Sequence, residues 1–204
     1  MNILRTALIN ASLERAISRE RLAKYLAETG DNLDAALGLY ERNTRLSEAL
    51  YSPLQSLEIC FRNIIHLQMS QTYGPDWLTN GVPPLARATE NSIQDACADF
   101  NNPTPGDLVA ELKFSFWVSL LGRGYDATLW RRALYRGFLI GGGKKRSDVH
   151  SRFNAIRRFR NRVAHHEPIF VSATQMHQEI IEAIGWMCAD TQAWAAHHSR
   201  FDTI

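Results

Sequence analysis

Helix-boundary signals recur along this chain, and stretches with the two-residue alternation of a half-buried strand are almost absent, which leaves a helical bundle as the natural fold. The clearest start is Ser52-Pro53-Leu54-Gln55. Ser52 can accept hydrogen bonds from the free amides of a first turn, Pro53 sits where its missing N–H costs nothing, and Gln55 completes a capping box. This predicts a helix from there to Tyr73, stopped by Gly74 and Pro75. By the same logic Ser18 opens a short helix that Gly30 closes, and Asp31 or Asn32 opens one reaching about Tyr51. Thr104-Pro105-Gly106-Asp107 opens a helix through Leu121, closed by Gly122-Arg123-Gly124. Ser147 opens another that ends near Glu167, because Pro168 disfavours helical geometry in the residue before it. Ser172-Ala173-Thr174-Gln175 predicts a capping box for one long C-terminal packing helix over 172–198.

Within that last helix Ile180, Ile184, Met187, Thr191 and Trp194 recur at steps of three and four, the spacing of one buried face. Phe114, Phe116, Trp117 and Leu120 give a second core stripe. With 204 residues and 45% apolar content the chain is not disordered and can bury a core without staples, so residues 1–204 are expected to form one all-α domain. Cys60, Cys97 and Cys188 are widely separated, in no metal-knuckle or redox spacing, and odd in number, which predicts reduced thiols and a cytoplasmic setting. The longest strongly apolar window, Phe114 to Leu121, falls far short of the roughly 20 residues that cross a bilayer. Residues 1–12 carry a single Arg5 and no apolar run suited to a secretory leader.

Several chemistries lack their parts. The histidines, at positions 66, 150, 165, 166, 177, 197 and 198, include no i, i+4 pair flanking a Glu and have no nearby Cys pair, so no metal is expected. Gly141 to Lys145 follows no strand and has no Ser or Thr in the register a phosphate loop needs. A Gly-x-Ser-x-Gly elbow is missing too, and no cofactor is implied.

Charge is the informative feature. The whole chain carries only +2, yet residues 144–162 hold Lys144, Lys145, Arg146, Arg152, Arg157, Arg158, Arg160 and Arg162 against the single acid Asp148. That segment is +7 and the remainder −5. A concentrated cationic helix attracts polyanions, nucleic acid above all; the plainer alternative is a solvated helix face. Val149, Phe153, Ile156, Phe159 and Val163 recur at three and four, so one face is core and the basic residues are expected to crowd the other.

The run ends in Arg160-Asn161-Arg162-Val163-Ala164-His165-His166-Glu167-Pro168. Metal-free RNA cleavage needs a base for the ribose 2′-OH, an acid for the leaving 5′-oxygen and a fixed cation for the phosphate. Histidine titrates near neutral pH, and the arginine fork grips phosphate with two parallel hydrogen bonds. Asn161 could orient the imidazole or hold a phosphate oxygen. Arg160 and His165 lie about 140° apart around a regular helix. Bringing them to one spot requires the helix end to unwind before Pro168, or a second subunit to complete the site. His165 and His166 could alternatively serve only to cap the last carbonyls. Glu58, Arg62 and His66 form a stripe at i, i+4 and i+8, and Phe61-Arg62-Asn63 echoes Phe159-Arg160-Asn161. An intrahelical Glu58–Arg62 pair is expected there, with Glu58, Arg62 and Asn63 able to order the site if the two helices pack together.

Arg160-Asn161-x-x-x-His165 matches the HEPN signature. Together with Glu58-x-x-x-Arg62-Asn63, Tyr73-Gly74-x-x-Trp77, Phe114-x-Phe116-Trp117 (which has Ser115 where relatives often have Gly), Leu129-Trp130 and the run on to Phe170, it resembles the Abi-like family of bacterial abortive-infection proteins. The resemblance covers about residues 18–170. It implies a single HEPN-type helical bundle with additional N-terminal helices, and a metal-independent endoribonuclease of phage defence or of a toxin–antitoxin pair. It also implies an RNA substrate, a homodimer and an antitoxin, protein or small RNA. Arg160, Asn161, His165 and His166 are then the catalytic candidates, and Lys144, Lys145, Arg146, Arg157, Arg158 and Arg162 the RNA contacts. The rival is a noncatalytic HEPN-like module that binds RNA or a nucleotide.

Overall fold

Three of the expected caps form and fix where helices begin. Ser18 accepts from Arg21 N, Asn32 from Ala35 N, and Thr104 and Asp107 exchange both bonds of a capping box. In this computed structural model, which describes residues 5–204, the order is α1 (Ala7–Ile17), α2 (Arg19–Glu28), α3 (Leu33–Tyr73), α4 (Arg87–Ala98), α5 (Pro105–Glu111), α6 (Phe114–Ser119), α7 (Arg146–Ala164), α8 (Ala173–Gly185) and α9 (Ala189–His198). Short 3₁₀ and π turns link α6 to α7. Among the described residues every regular element is helical, and the fold is all-α. No helix among them is long and apolar enough to cross a membrane. The first four residues of the stretch read as lacking a leader lie outside the described residues.

The break expected at Ser52-Pro53 does not occur. α3 runs unbroken for 41 residues, about 60 Å, with Pro53 inside it. An internal proline costs about 3 kcal/mol. Leu50, Leu54 and Leu57 are buried on that stretch at roughly 1.5–3 kcal/mol each, so continuing the helix wins. Ser52 caps nothing; its carbonyl accepts from Ser56 Oγ at 2.9 Å.

Elsewhere the expected single helices divide. The 104–121 helix breaks at Leu112, whose extended backbone leaves a carbonyl that Trp117 Nε1 caps at 3.1 Å. The C-terminal helix is two, α8 and α9, turning at 186–188 where Cys188 Sγ accepts from Thr191 N. Gly185 lies against the end of the Gln192 side chain, which would have to swing aside for a Cβ there. The Ser172 side chain makes no cap bond to α8. Ile180, Ile184 and Met187 are buried as the stripe predicts, but the turn rotates α9 so that Trp194 is exposed. α7 starts one residue before Ser147 and ends at Ala164 rather than near Glu167.

α3 is the axis of the molecule. It packs against α2, α6, α8 and α9. Phe61 on α3 stacks on Phe153 of α7 at 4.1 Å between ring centroids, and meets Phe114 edge-on at 5.8 Å. The N-terminal helices close a second small core of Leu22, Tyr25, Leu26, Ala36 and Leu37. Phe170 packs against both cores, its ring 5.5 Å from that of Tyr25.

Candidate functional site

The site grows from the C-terminus of α7. Glu167 N bonds Arg162 O at 2.9 Å and His166 N bonds Val163 O at 3.0 Å. These are the two bonds of a Schellman motif, with His165 as C-cap and His166 in the following left-handed position, at φ +57°. Glycine normally fills that position; an L-residue there costs roughly 1–2 kcal/mol, histidine being one of the better tolerated. The reversal turns His166 away from the helical track. His166, not His165, lines a groove shared with Arg160, so the helix end does unwind, one residue later than the Arg160–His165 spacing suggested.

The groove, about 850 Å³ and open to solvent, lies between the middle of α3 and the end of α7. Tyr51, Leu54, Ile59, Val163 and Ala164 make its apolar wall. Thr44, Ser47, Glu48, Gln55, Glu58 and Arg62 line it from α3, with Arg160 and His166 opposite. Arg160 Nε lies 3.6 Å from Glu58 Oε2, its side chain still 43% exposed. No Glu58–Arg62 pair forms; Arg62 instead donates to Ala110 O at 3.2 Å. Glu58 thus bridges helices instead of pairing along its own.

Other candidates stand apart. Asn161, one residue and about 100° around the helix from Arg160, does not line the groove, and neither does the exposed His165. Asn63 is exposed outside it. His66, the third member of the stripe, accepts at Nδ1 from Trp77 Nε1 at 3.1 Å, which places the neutral ring's proton on Nε2, toward Ser70. Burial also pushes its pKa below the ordinary value, so its work is to seat Trp77.

The basic residues do not form one open stripe. Arg146 bonds Leu121 O and lies 3.3 Å from Asp126. Arg152 holds Glu179 and Glu182 and lies over the Trp186 ring, as does Lys144. Arg162 bonds Pro168 O and lies 3.5 Å from Glu167. Arg157 bonds Asn154 one turn before Arg160. Lys145 and Arg158 are exposed, with no carboxylate partner among the described residues.

Two anchors escaped the sequence reading. Asn43 on α3 grips residues 167–170, and Arg21 on α2 donates to the carbonyls of His165 and His166. Spacing held the signal: 43, 47, 51, 55, 58 and 62 follow one face of an unbroken α3, and the expected break at Ser52 hid it. Comparison with known proteins finds no matching family model, no similar curated protein and no similar solved structure.

Proposed function

We propose that this protein is a metal-independent endoribonuclease of the HEPN type and Abi-like family, acting in phage defence or as the toxin of a toxin–antitoxin pair. The observation that carries the reading is that the left-handed turn at His166 brings an imidazole into the same groove as Arg160. Arg160 would hold the scissile phosphate, exchanging Glu58 for phosphate oxygens. His166 would take the 2′-OH proton as O2′ attacks phosphorus and the bond to the 5′-oxygen breaks. The products are a 2′,3′-cyclic phosphate and a 5′-OH, the leaving oxygen taking its proton from a second imidazole. One chain supplies one imidazole to the groove, so a homodimer would complete the acid–base pair. Tyr51 and Ile59, exposed on the groove wall, fit burial against a second copy or an antitoxin. Arg157, Lys145 and Arg158 would extend the RNA path.

The test is incubation of the purified protein with RNA in EDTA, scoring fragments and cyclic-phosphate ends. Arg160→Ala and His166→Ala should each lower the rate about 100-fold or more, and His165→Ala should cut normally. Parental cutting by Arg160→Ala overturns the mechanism; RNA binding without fragments turns the reading to a binding module.

A further inference from the structure

His166 occupies a conformation its own residue type resists, so something outside it must hold it there. The peptide plane joining His166 to Glu167 is held at both edges: its carbonyl accepts from Arg21, and its N–H donates to Arg162 O at 2.9 Å. In the next plane the Glu167 carbonyl accepts from Asn43 Nδ2 at 3.4 Å. In the plane after that, the Pro168 carbonyl accepts from Arg162, and Ile169 N donates to Asn43 Oδ1 at 2.7 Å. Phe170 N donates to the same oxygen at 3.2 Å. Three successive planes beyond the imidazole are thereby fixed to α2, α3 and α7.

Asn43 is only 4% exposed, and a buried amide with every polar atom engaged is a precise fixture. Its position on α3 matters equally. Thr44, Ser47 and Glu48, the next turn of that helix, line the groove, so Asn43 ties the histidine segment to the groove floor in one register. Arg21 approaches from α2, where its own side chain is exposed.

We infer that Asn43 and Arg21 are positioning residues for His166, presenting its imidazole to the groove by clamping the backbone that follows it. The inference rests on the ribonuclease reading for its kinetic consequence but not for its geometric one. A misplacement of about 1 Å at a reacting group costs on the order of 100-fold in rate. Folded Asn43→Ala should therefore lose about 100-fold in kcat while RNA affinity stays at the parental value. Asn43→Asp, which keeps the oxygen that Ile169 and Phe170 share, should recover most of it. Arg21→Ala, at an exposed position, should keep the fold and lose about tenfold or more in kcat. In a His166→Ala background neither change should reduce the residual rate further, because there is no imidazole left to position.

Parental kcat in folded Arg21→Ala and Asn43→Ala, or losses that multiply with His166→Ala, would overturn the inference. A parent protein that cuts no RNA removes the ribonuclease reading instead. The clamp is then judged by NMR alone. The His166 three-bond amide–α-proton coupling and the exchange protection of the Glu167 and Ile169 amides should change in Arg21→Ala and Asn43→Ala, and parental values in both would refute it.

Discussion

Replacing His166 with glycine should make the protein more stable and inactive. At φ +57° an L-residue sacrifices roughly 1–2 kcal/mol, with histidine near the lower figure, and glycine removes that penalty. Glycine also frees the unfolded chain, at about 0.5–1 kcal/mol. The His166 side chain is exposed, its residue is held only through backbone atoms, and both Schellman bonds involve main chain, so deleting the imidazole breaks no contact of the fold. The balance is a gain of at most about 0.5 kcal/mol, which for a chain of this length moves Tm up by no more than about 1–2 °C. His166→Ala is the control: it removes the imidazole but keeps the penalty, so it should lose cleavage with no gain in Tm. The assay pairs thermal melts of all three proteins with RNA cleavage on the same preparations. A glycine variant destabilised by more than about 1 kcal/mol would mean that the imidazole is structural, and one that cuts at the parental rate would remove it from catalysis.

Burial pushes the pKa values of His66, His150 and His177 below the ordinary 6.5. The unfolded chain then binds protons that the folded chain refuses, so stability is complete above pH 6.5 and falls as the pH drops below it. Melts at fixed ionic strength should give a lower Tm at pH 5.5 than at pH 7.5; an equal or higher value refutes the assignment. Phe61→Ala should cost about 3–5 kcal/mol in urea unfolding, because the ring is fully buried and stacks between the helices that form the groove walls. A loss below about 1 kcal/mol would show that α3 and α7 are held together elsewhere.

The helical class was legible because periodicity survives any arrangement of the helices. The apolar faces of α6 and α7 are buried at the residues their spacing selects, with Val163 only partly so. Boundaries were legible only where the cap is local. Ser18, Asn32 and Thr104 each bond an amide three residues on, an interaction wholly inside its own turn. Ser52-Pro53 carries equally good local chemistry and is overruled by the burial of Leu50, Leu54 and Leu57. At Leu112 the helix ends because an indole five residues on reaches back to its carbonyl, a cap that no short-range rule anticipates. His166 was a candidate from the sequence, but its left-handed turn was hidden for a related reason: that position is usually marked by glycine, and here the mark is a histidine held by partners more than a hundred residues away.

Counting charge along the sequence also overstates what α7 presents to a ligand. Four of the eight basic residues in 144–162 face carboxylates: Arg146 with Asp126, Arg152 with Glu179 and Glu182, Arg160 with Glu58, and Arg162 with Glu167. A formal +7 therefore acts at long range as a much smaller charge, since each pair cancels beyond a Debye length of about 8 Å. The pairs are not equivalent. Arg146, Arg152 and Arg162 also donate to backbone carbonyls, and releasing any of them would take a partner from those carbonyls. Among the described residues Arg160 makes no such second bond, its ion pair is long at 3.6 Å, and its side chain is the most exposed of the four. An exposed pair of this kind is worth at most about 1 kcal/mol. A phosphate entering the groove can displace Glu58 at that small cost, whereas the same exchange at Arg146, Arg152 or Arg162 would also break a bond to the backbone, at about 1–3 kcal/mol more.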